Sequence, residues 1–330
     1  MKRIKKKYWC LLLVCTFLTL ALSGCQAGNA NGQTESEKDG LKVVSTIFPG
    51  YDWADVLMNG TDATPGLMMK NGVDMHSFQP TAADIVSLSD ADVFIYVGGE
   101  SDVWVEDALK TAQNQNMVTV NMMEVLSSDQ LHLEELSEGM ETDHDHAEED
   151  EEVYDEHVWL SLDNAQRICT AIADALCTVD KENTEQYQDN LTDYLQQLTD
   201  LDTQYQQTAD DSAHHVLLFG DRFPFIYLTE EYGLEYYAAF PGCSAESEAS
   251  FATVSFLAGK VDELSLPVVL TIDGSDQKIA QTIIENTTAK NAKILMLDSM
   301  QSVTDQQIEQ GVNYLSIMEN NLSVLKEALS

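Results

Sequence analysis

Two histidines stand where an imidazole can be aimed. His76 sits in Gly72-Val73-Asp74-Met75-His76-Ser77-Phe78-Gln79-Pro80-Thr81-Ala82-Ala83-Asp84, a loop between a strand and a helix. Thr81 opens that helix, with Asp84 three residues on as its capping-box partner. His157 sits in Asp155-Glu156-His157-Val158-Trp159-Leu160-Ser161-Leu162-Asp163-Asn164-Ala165, ahead of a helix for which Asp163 is the expected cap. One loop histidine is ordinarily a polar surface residue. Two in matching contexts, each beside carboxylates, form a donor set for a divalent cation, since imidazole nitrogen and carboxylate oxygen suit Zn²⁺ and also Mn²⁺.

Between the two histidines lies a segment that cannot build a core. Asp129 to Glu156 holds 14 acids, no Lys or Arg, and His132, His144 and His146. A solvated acidic loop is the plain reading. The alternation Asp143-His144-Asp145-His146 supports a sharper one, a mobile loop in which His144 and His146 collect metal and the acids concentrate cations.

The elements that must position these groups alternate between strand and helix. Strands are expected at Val43–Phe48, Pro65–Met69, Val93–Val97 and Val118–Val120, with helices at Tyr51–Met58, from Thr81, and at Val103–Gln113. The pattern returns as strands at Val216–Phe219, Tyr236–Ala239, Val268–Ile272 and Ile294–Leu297. Helices at Phe223–Tyr232, Phe251–Leu264, Gln277–Thr288 and Val312–Leu329 accompany them. Strand–helix alternation predicts an α/β fold of two lobes, each a mostly parallel sheet flanked by helices. Asn164–Leu176 and Asn183–Thr208 join them. In the second, Tyr187, Leu191, Tyr194, Leu195, Leu198, Leu201 and Tyr205 recur every three or four residues without Gly or Pro, the pattern of one long rigid amphipathic helix.

Charge and the N-terminus narrow the function. The 330 residues carry 17 Lys+Arg against 56 Asp+Glu, a net charge of −39, and this excludes nucleic acid as a partner. Lys2, Arg3, Lys5, Lys6 and Lys7 precede the apolar run Tyr8–Leu22, which ends in Leu22-Ser23-Gly24-Cys25. That order predicts a signal peptide over 1–24 cleaved before a lipidated Cys25, with 25–41 as a polar tether. An N-terminal lobe over 42–163, connecting helices over 164–213 and a C-terminal lobe over 214–330 follow. Cys169, Cys177 and Cys243 then remain, an odd number with no disulfide framework, each expected as a buried thiol.

His76 in its Phe-Gln-Pro-Thr-Ala-Ala-Asp setting resembles the first metal-ligand motif of the zinc/manganese substrate-binding proteins of ABC importers. Asp155-x-His157-x-Trp159 resembles the second, the acidic loop resembles the His-rich loop of zinc-binding members, and the long helix resembles the backbone helix joining their lobes. The resemblance implies a third ligand, His or Glu, within Phe219-Gly220-Asp221-Arg222-Phe223. Register on Phe223 places Gly220 there, with Asp221 able to reach in and Arg222 able to pair with it. A fourth ligand, a carboxylate after a C-lobe strand, falls on Asp273, with Glu246 and Glu248 in reserve.

The resemblance further implies a monomer anchored through Cys25 to the outer face of the bacterial cytoplasmic membrane. It would carry Zn²⁺, or alternatively Mn²⁺, between its lobes as cargo for an ABC permease. A rigid connection would restrict closure to a small tilt. A metal-dependent surface adhesin or scaffold is the competing class. A zinc hydrolase is disfavoured because His-Glu-x-x-His is absent, so no enzyme is expected.

Overall fold

The computed structural model describes residues 40–134, 136–141, 153–244 and 248–330. The signal, the tether up to residue 39 with Cys25, His144, His146 and Glu246 lie outside the described residues.

Among the described residues, eight strands form two sheets of identical plan. β1 (Val43–Ser45), β2 (Pro65–Leu67), β3 (Val93–Tyr96) and β4 (Val118–Asn121) run parallel in the order β2-β1-β3-β4. β5 (Val216–Phe223), β6 (Glu235–Pro241), β7 (Val268–Ile272) and β8 (Lys293–Leu297) run parallel in the order β6-β5-β7-β8. Both sheets are flanked by helices, so the α/β expectation holds. β3 and β7 are mostly apolar and buried, with Thr271 the one polar residue between them, because both faces are covered. In open sheets of this kind the loops beyond the carboxyl ends of the strands form the ligand crevice. His76 follows β2, Ser101 follows β3, Cys243 follows β6 and Asp273 follows β7.

The long helix runs from Thr184 to Asp210, about 40 Å at 1.5 Å per residue. Its buried stripe is Tyr187, Leu191, Tyr194, Leu198, Leu201, Tyr205 and Ala209, with Leu195 half-buried at its edge. It is bonded to both halves. Asn190 Nδ2 donates to the carbonyls of Leu57 and Asn59, at 2.8 Å each, while Asp202 Oδ1 accepts from the Tyr232 hydroxyl at 3.0 Å. One hydrophobic cluster extends from Val43 through this helix to Leu329, so the lobes share a core. No helix among the described residues is long and apolar enough to cross a membrane.

Three local features differ from the sequence reading. β5 continues through Gly220-Asp221-Arg222 to Phe223 across a register shift between Phe219 and Arg222, so the next helix starts at Ile226. The first helix begins at Phe48, since Pro49 fits a first turn where no intrahelical N–H bond is required. The cap of the Leu162–Val179 helix is Ser161, whose Oγ accepts the Asn164 N–H, while Asp163 lies in the first turn and pairs with Arg167. The Thr81–Asp84 capping box forms as expected.

Candidate metal centre

His76 occupies a short 3₁₀ turn, Met75–Ser77, whose cap Asp74 accepts the His76 backbone N–H at 3.0 Å. His157 precedes a second 3₁₀ turn, Val158–Leu160, and its side chain is fully buried. The two rings meet edge to face, with Nε2 of His76 3.3 Å from Nε2 of His157.

Carboxylates hold each ring from behind. Asp155 Oδ1 accepts both the His157 backbone N–H at 2.8 Å and its Nδ1–H at 2.9 Å. His76 Nδ1 lies 3.0 Å from Ser101 Oγ, and that hydroxyl donates to Glu156 Oε2. With Glu156 ionised, the single serine proton is spent on the carboxylate, so the serine oxygen accepts from His76 Nδ1–H. Both rings then carry their proton on Nδ1 and turn an Nε2 lone pair toward the other. Two lone pairs at this separation repel unless a cation lies between them.

The supporting loops are built for close approach. Gly99 has φ +70°, and a Cβ there would lie 2.3 Å from Glu156 Oε1. Only glycine lets the loop after β3 close over that buried carboxylate, whose N–H bond from Ser101 is 2.9 Å. Trp159 Nε1 donates to the Ser299 carbonyl at 2.9 Å, and the Tyr227 and Tyr314 hydroxyls donate to the carbonyls of Asp155 and Trp159. The His157 segment is thus fastened to the second half of the chain.

The electrostatics differ between the rings. Burial, together with the facing His157, pulls His76 down to about 4. Burial also opposes charge on His157, but the Asp155 carboxylate and its hydrogen bond outweigh that and raise it. Burial raises Glu156. Burial, with Asp155 and Glu134 adding to it, pushes the Cys243 thiol up.

Beside the rings opens a cavity of about 610 Å³, lined among others by Asp74, His76, Asp221, Arg222, Asp273 and Asp276. Four acids against one guanidinium give it a negative field that draws cations. Asp221 and Asp273 therefore line the same cavity as His76, but their oxygens are occupied. Asp221 accepts from the Ser275 hydroxyl and the Arg222 backbone N–H. Asp273 takes the Ser299 N–H at 2.7 Å, its hydroxyl at 2.6 Å, the Ser302 N–H at 2.9 Å and the Ser302 hydroxyl. Arg222 pairs not with Asp221 but with Asp74, Nη2 to Oδ2 at 2.7 Å.

Gly220 is no ligand position that lost its side chain. A Cβ there would lie 2.5 Å from Ala280 Cα, so the Lys278–Asn286 helix packs directly on it. Glu248 is exposed, near Lys278.

Among the described residues, two groups of three place candidate ligand atoms within 4.8 Å of one another: His76–His157–Cys243 and Glu134–Asp155–Cys243. Asp221 and Asp273 belong to neither. Cys243, half-buried in the turn after β6, is thus beside both imidazoles rather than a thiol lost in the core. Its sequence setting, Gly242-Cys243-Ser244, carries no metal-site spacing, and proximity comes only from the fold. Glu156 stands next to His157 but falls on the unassigned position of Asp155-x-His157-x-Trp159, and its role shows only through Ser101. Ser101, far away in sequence, carried no signal.

A family model described as ZnuA, zinc-uptake complex component A, periplasmic, matches residues 43–328. The high-affinity zinc uptake system protein ZnuA of Bacillus subtilis is 30% identical over 327 residues, 98% of each chain. The zinc-binding lipoprotein AdcA of Streptococcus pneumoniae is 28% identical over 318 residues, which is 96% of this chain but 60% of that one. The solved Zn(II)-bound ZnuA-like domain of S. pneumoniae AdcA aligns with a TM-score of 0.69 at 25% identity, covering 88% of this chain and 98% of that one. Paired parallel sheets, facing imidazoles and a match spanning almost all of residues 40–330 lead to one assignment: the chain belongs to the ZnuA family of zinc-uptake complex component A.

Proposed function

We propose that this chain captures a divalent cation, zinc in preference to manganese, between its lobes and delivers it to an ABC permease. His76 and His157 bind the ion through Nε2. The observation that carries this is the 3.3 Å separation of the two nitrogens. Two nitrogens bound to zinc at about 2.0–2.1 Å with tetrahedral angles stand about 3.3–3.4 Å apart. The rings are thus spaced as an ion would space them, with the lone pairs already freed.

Asp155 and Glu156 supply the outer shell that fixes tautomer and ring direction. Asp221 and Asp273 act first as part of the negative cavity, and either can enter coordination by exchanging serine donors for the ion. The shared core and the helix bonded to both halves keep closure small. The domain plan that accompanies this reading is a signal over 1–24, an anchor at Cys25, a tether to residue 41, lobes over 42–163 and 214–330, and connecting helices over 164–213. The protein then works as a lipid-anchored monomer outside the cytoplasmic membrane. Its relatives' names, a zinc uptake system protein and a zinc-binding lipoprotein, support the cargo and the location.

Metal bound per chain, measured by mass spectrometry after equilibration with buffered zinc, tests this. One zinc per chain at the main site is expected, lost in His76→Ala and in His157→Ala. Retention of stoichiometric zinc in both variants overturns the assignment, and a preference for manganese at equal free concentration reverses the cargo.

A further inference from the structure

We infer that Cys243 supplies a third, thiolate ligand to the cation held by His76 and His157. The inference rests on the metal-carrier reading and deepens it by assigning the donor that comes from the second lobe.

Three observations converge on this sulfur. Its ligand atom lies within 4.8 Å of a ring nitrogen of each histidine. In a tetrahedral site with Zn–S about 2.3 Å and Zn–N about 2.0–2.1 Å, sulfur and nitrogen stand about 3.6 Å apart, so a movement of at most about 1 Å completes the triangle. A rotation of the cysteine side chain supplies that. The backbone is placed for it, since the Cys243 N–H donates to Glu134 Oε1 at 2.8 Å. Glu134 lies at the root of the acidic segment, so the residue that tethers Cys243 sits where that segment meets the site.

The surrounding charge agrees. Glu134 and Asp155 both bring carboxylate oxygens into reach of the same sulfur. Two carboxylates against one ionisable thiol form an unfavourable cluster alone and a favourable one around a dication. On binding, the sulfur–metal bond forms as the S–H bond breaks, and the proton leaves to water. Two imidazoles and one thiolate leave a fourth position facing the cavity, open to water or to a cavity carboxylate.

Donor softness sets the consequence. Thiolate favours zinc over manganese far more than carboxylate does. Cys243 is thereby the residue that separates the two cargoes, at a position where no carboxylate among the described residues joins the two histidines.

The purified full chain is titrated with Co²⁺, which reports its ligands optically. The expected spectrum has the d–d bands of a tetrahedral ion and a thiolate-to-cobalt charge-transfer band in the near ultraviolet. Cys243→Ser keeps the d–d bands, loses the charge-transfer band, and weakens zinc about 10–100-fold while changing manganese less than about threefold. Tetrahedral d–d bands without charge transfer in the unaltered chain overturn the thiolate and leave the two-histidine carrier standing. A charge-transfer band that survives Cys243→Ser assigns the sulfur elsewhere and also overturns it. No cobalt spectrum at all sinks the carrier reading itself. The unaltered chain supplies the deciding band even if the variant does not fold.

Discussion

Asp155 decides whether His157 offers the cavity a lone pair or a proton, and its replacement isolates that effect. Its Oδ1 holds two His157 donors at 2.8 and 2.9 Å, and the residue is 2% exposed. Asp155→Asn can keep an acceptor oxygen but loses the charge. Asp155→Ala loses both and leaves two buried N–H groups of His157 without their partner, costing about 1–3 kcal/mol of fold stability for each. Outer-shell carboxylates of this type are worth about 10–100-fold in metal affinity. The alanine variant is expected near the hundredfold end, about 2.7 kcal/mol, and the asparagine variant near tenfold. Thermal unfolding reads the same quantity. Zinc buffered at about 100 times the dissociation constant stabilises the unaltered chain by about 2.7 kcal/mol, and by only about 0.4 kcal/mol once that constant has risen hundredfold. At roughly 2–3 °C per kcal/mol for a chain this long, the zinc-induced rise in Tm shrinks from about 5–8 °C to about 1 °C. Comparing each variant with its own metal-free Tm separates lost affinity from lost stability. Chelator competition then gives the affinity directly. If Asp155→Ala binds zinc within about threefold of the unaltered chain, Nε2 of His157 is not a ligand held in place by this carboxylate.

Two further outcomes follow from packing and burial. Gly220→Ala puts a methyl 2.5 Å from Ala280 Cα, so metal-free stability should fall by about 1–3 kcal/mol while zinc affinity holds; a Tm within 1 °C of the unaltered chain, by scanning calorimetry, contradicts that contact. Burial lifts Asp52, Glu231 and Asp298 to about 7 and Asp102 to about 6. The folded chain keeps these protons where the unfolded chain releases them, so the stability they confer is complete below about pH 4 and is lost as pH rises through 6–7. Asp52 alone sets an upper limit of roughly 4 kcal/mol. The metal-free Tm should therefore fall between about pH 4 and 7 and level off above, and Asp52→Asn should flatten the fall; an unchanged slope in that variant rules out Asp52 as a contributor.

Much of the architecture was legible because it rests on local rules. Apolar strand runs, the three-and-four spacing from Tyr187 to Tyr205 and the Thr81–Asp84 box are each satisfied within a few neighbouring residues, and each formed. Boundaries failed where a distant contact intervened. β5 runs on to Phe223 because β6 lies alongside to pair with it, and no local signal at Gly220-Asp221-Arg222 announces a neighbouring strand.

The site divides in the same way. The sequence by itself marked His76, His157 and the carboxylate before the second histidine, since the donor types and their loop settings are written in consecutive residues. Only the tertiary structure brought the two rings to 3.3 Å, placed Ser101 and Glu156 behind one of them, occupied Asp273 with serine donors, sent Arg222 to Asp74 and set Cys243 beside both imidazoles. The reason is physical. Which donors share an ion depends on distances across two sheets, and the Cα separation of residues far apart in the chain is fixed by how those sheets pack, a quantity that no stretch of neighbouring side chains encodes.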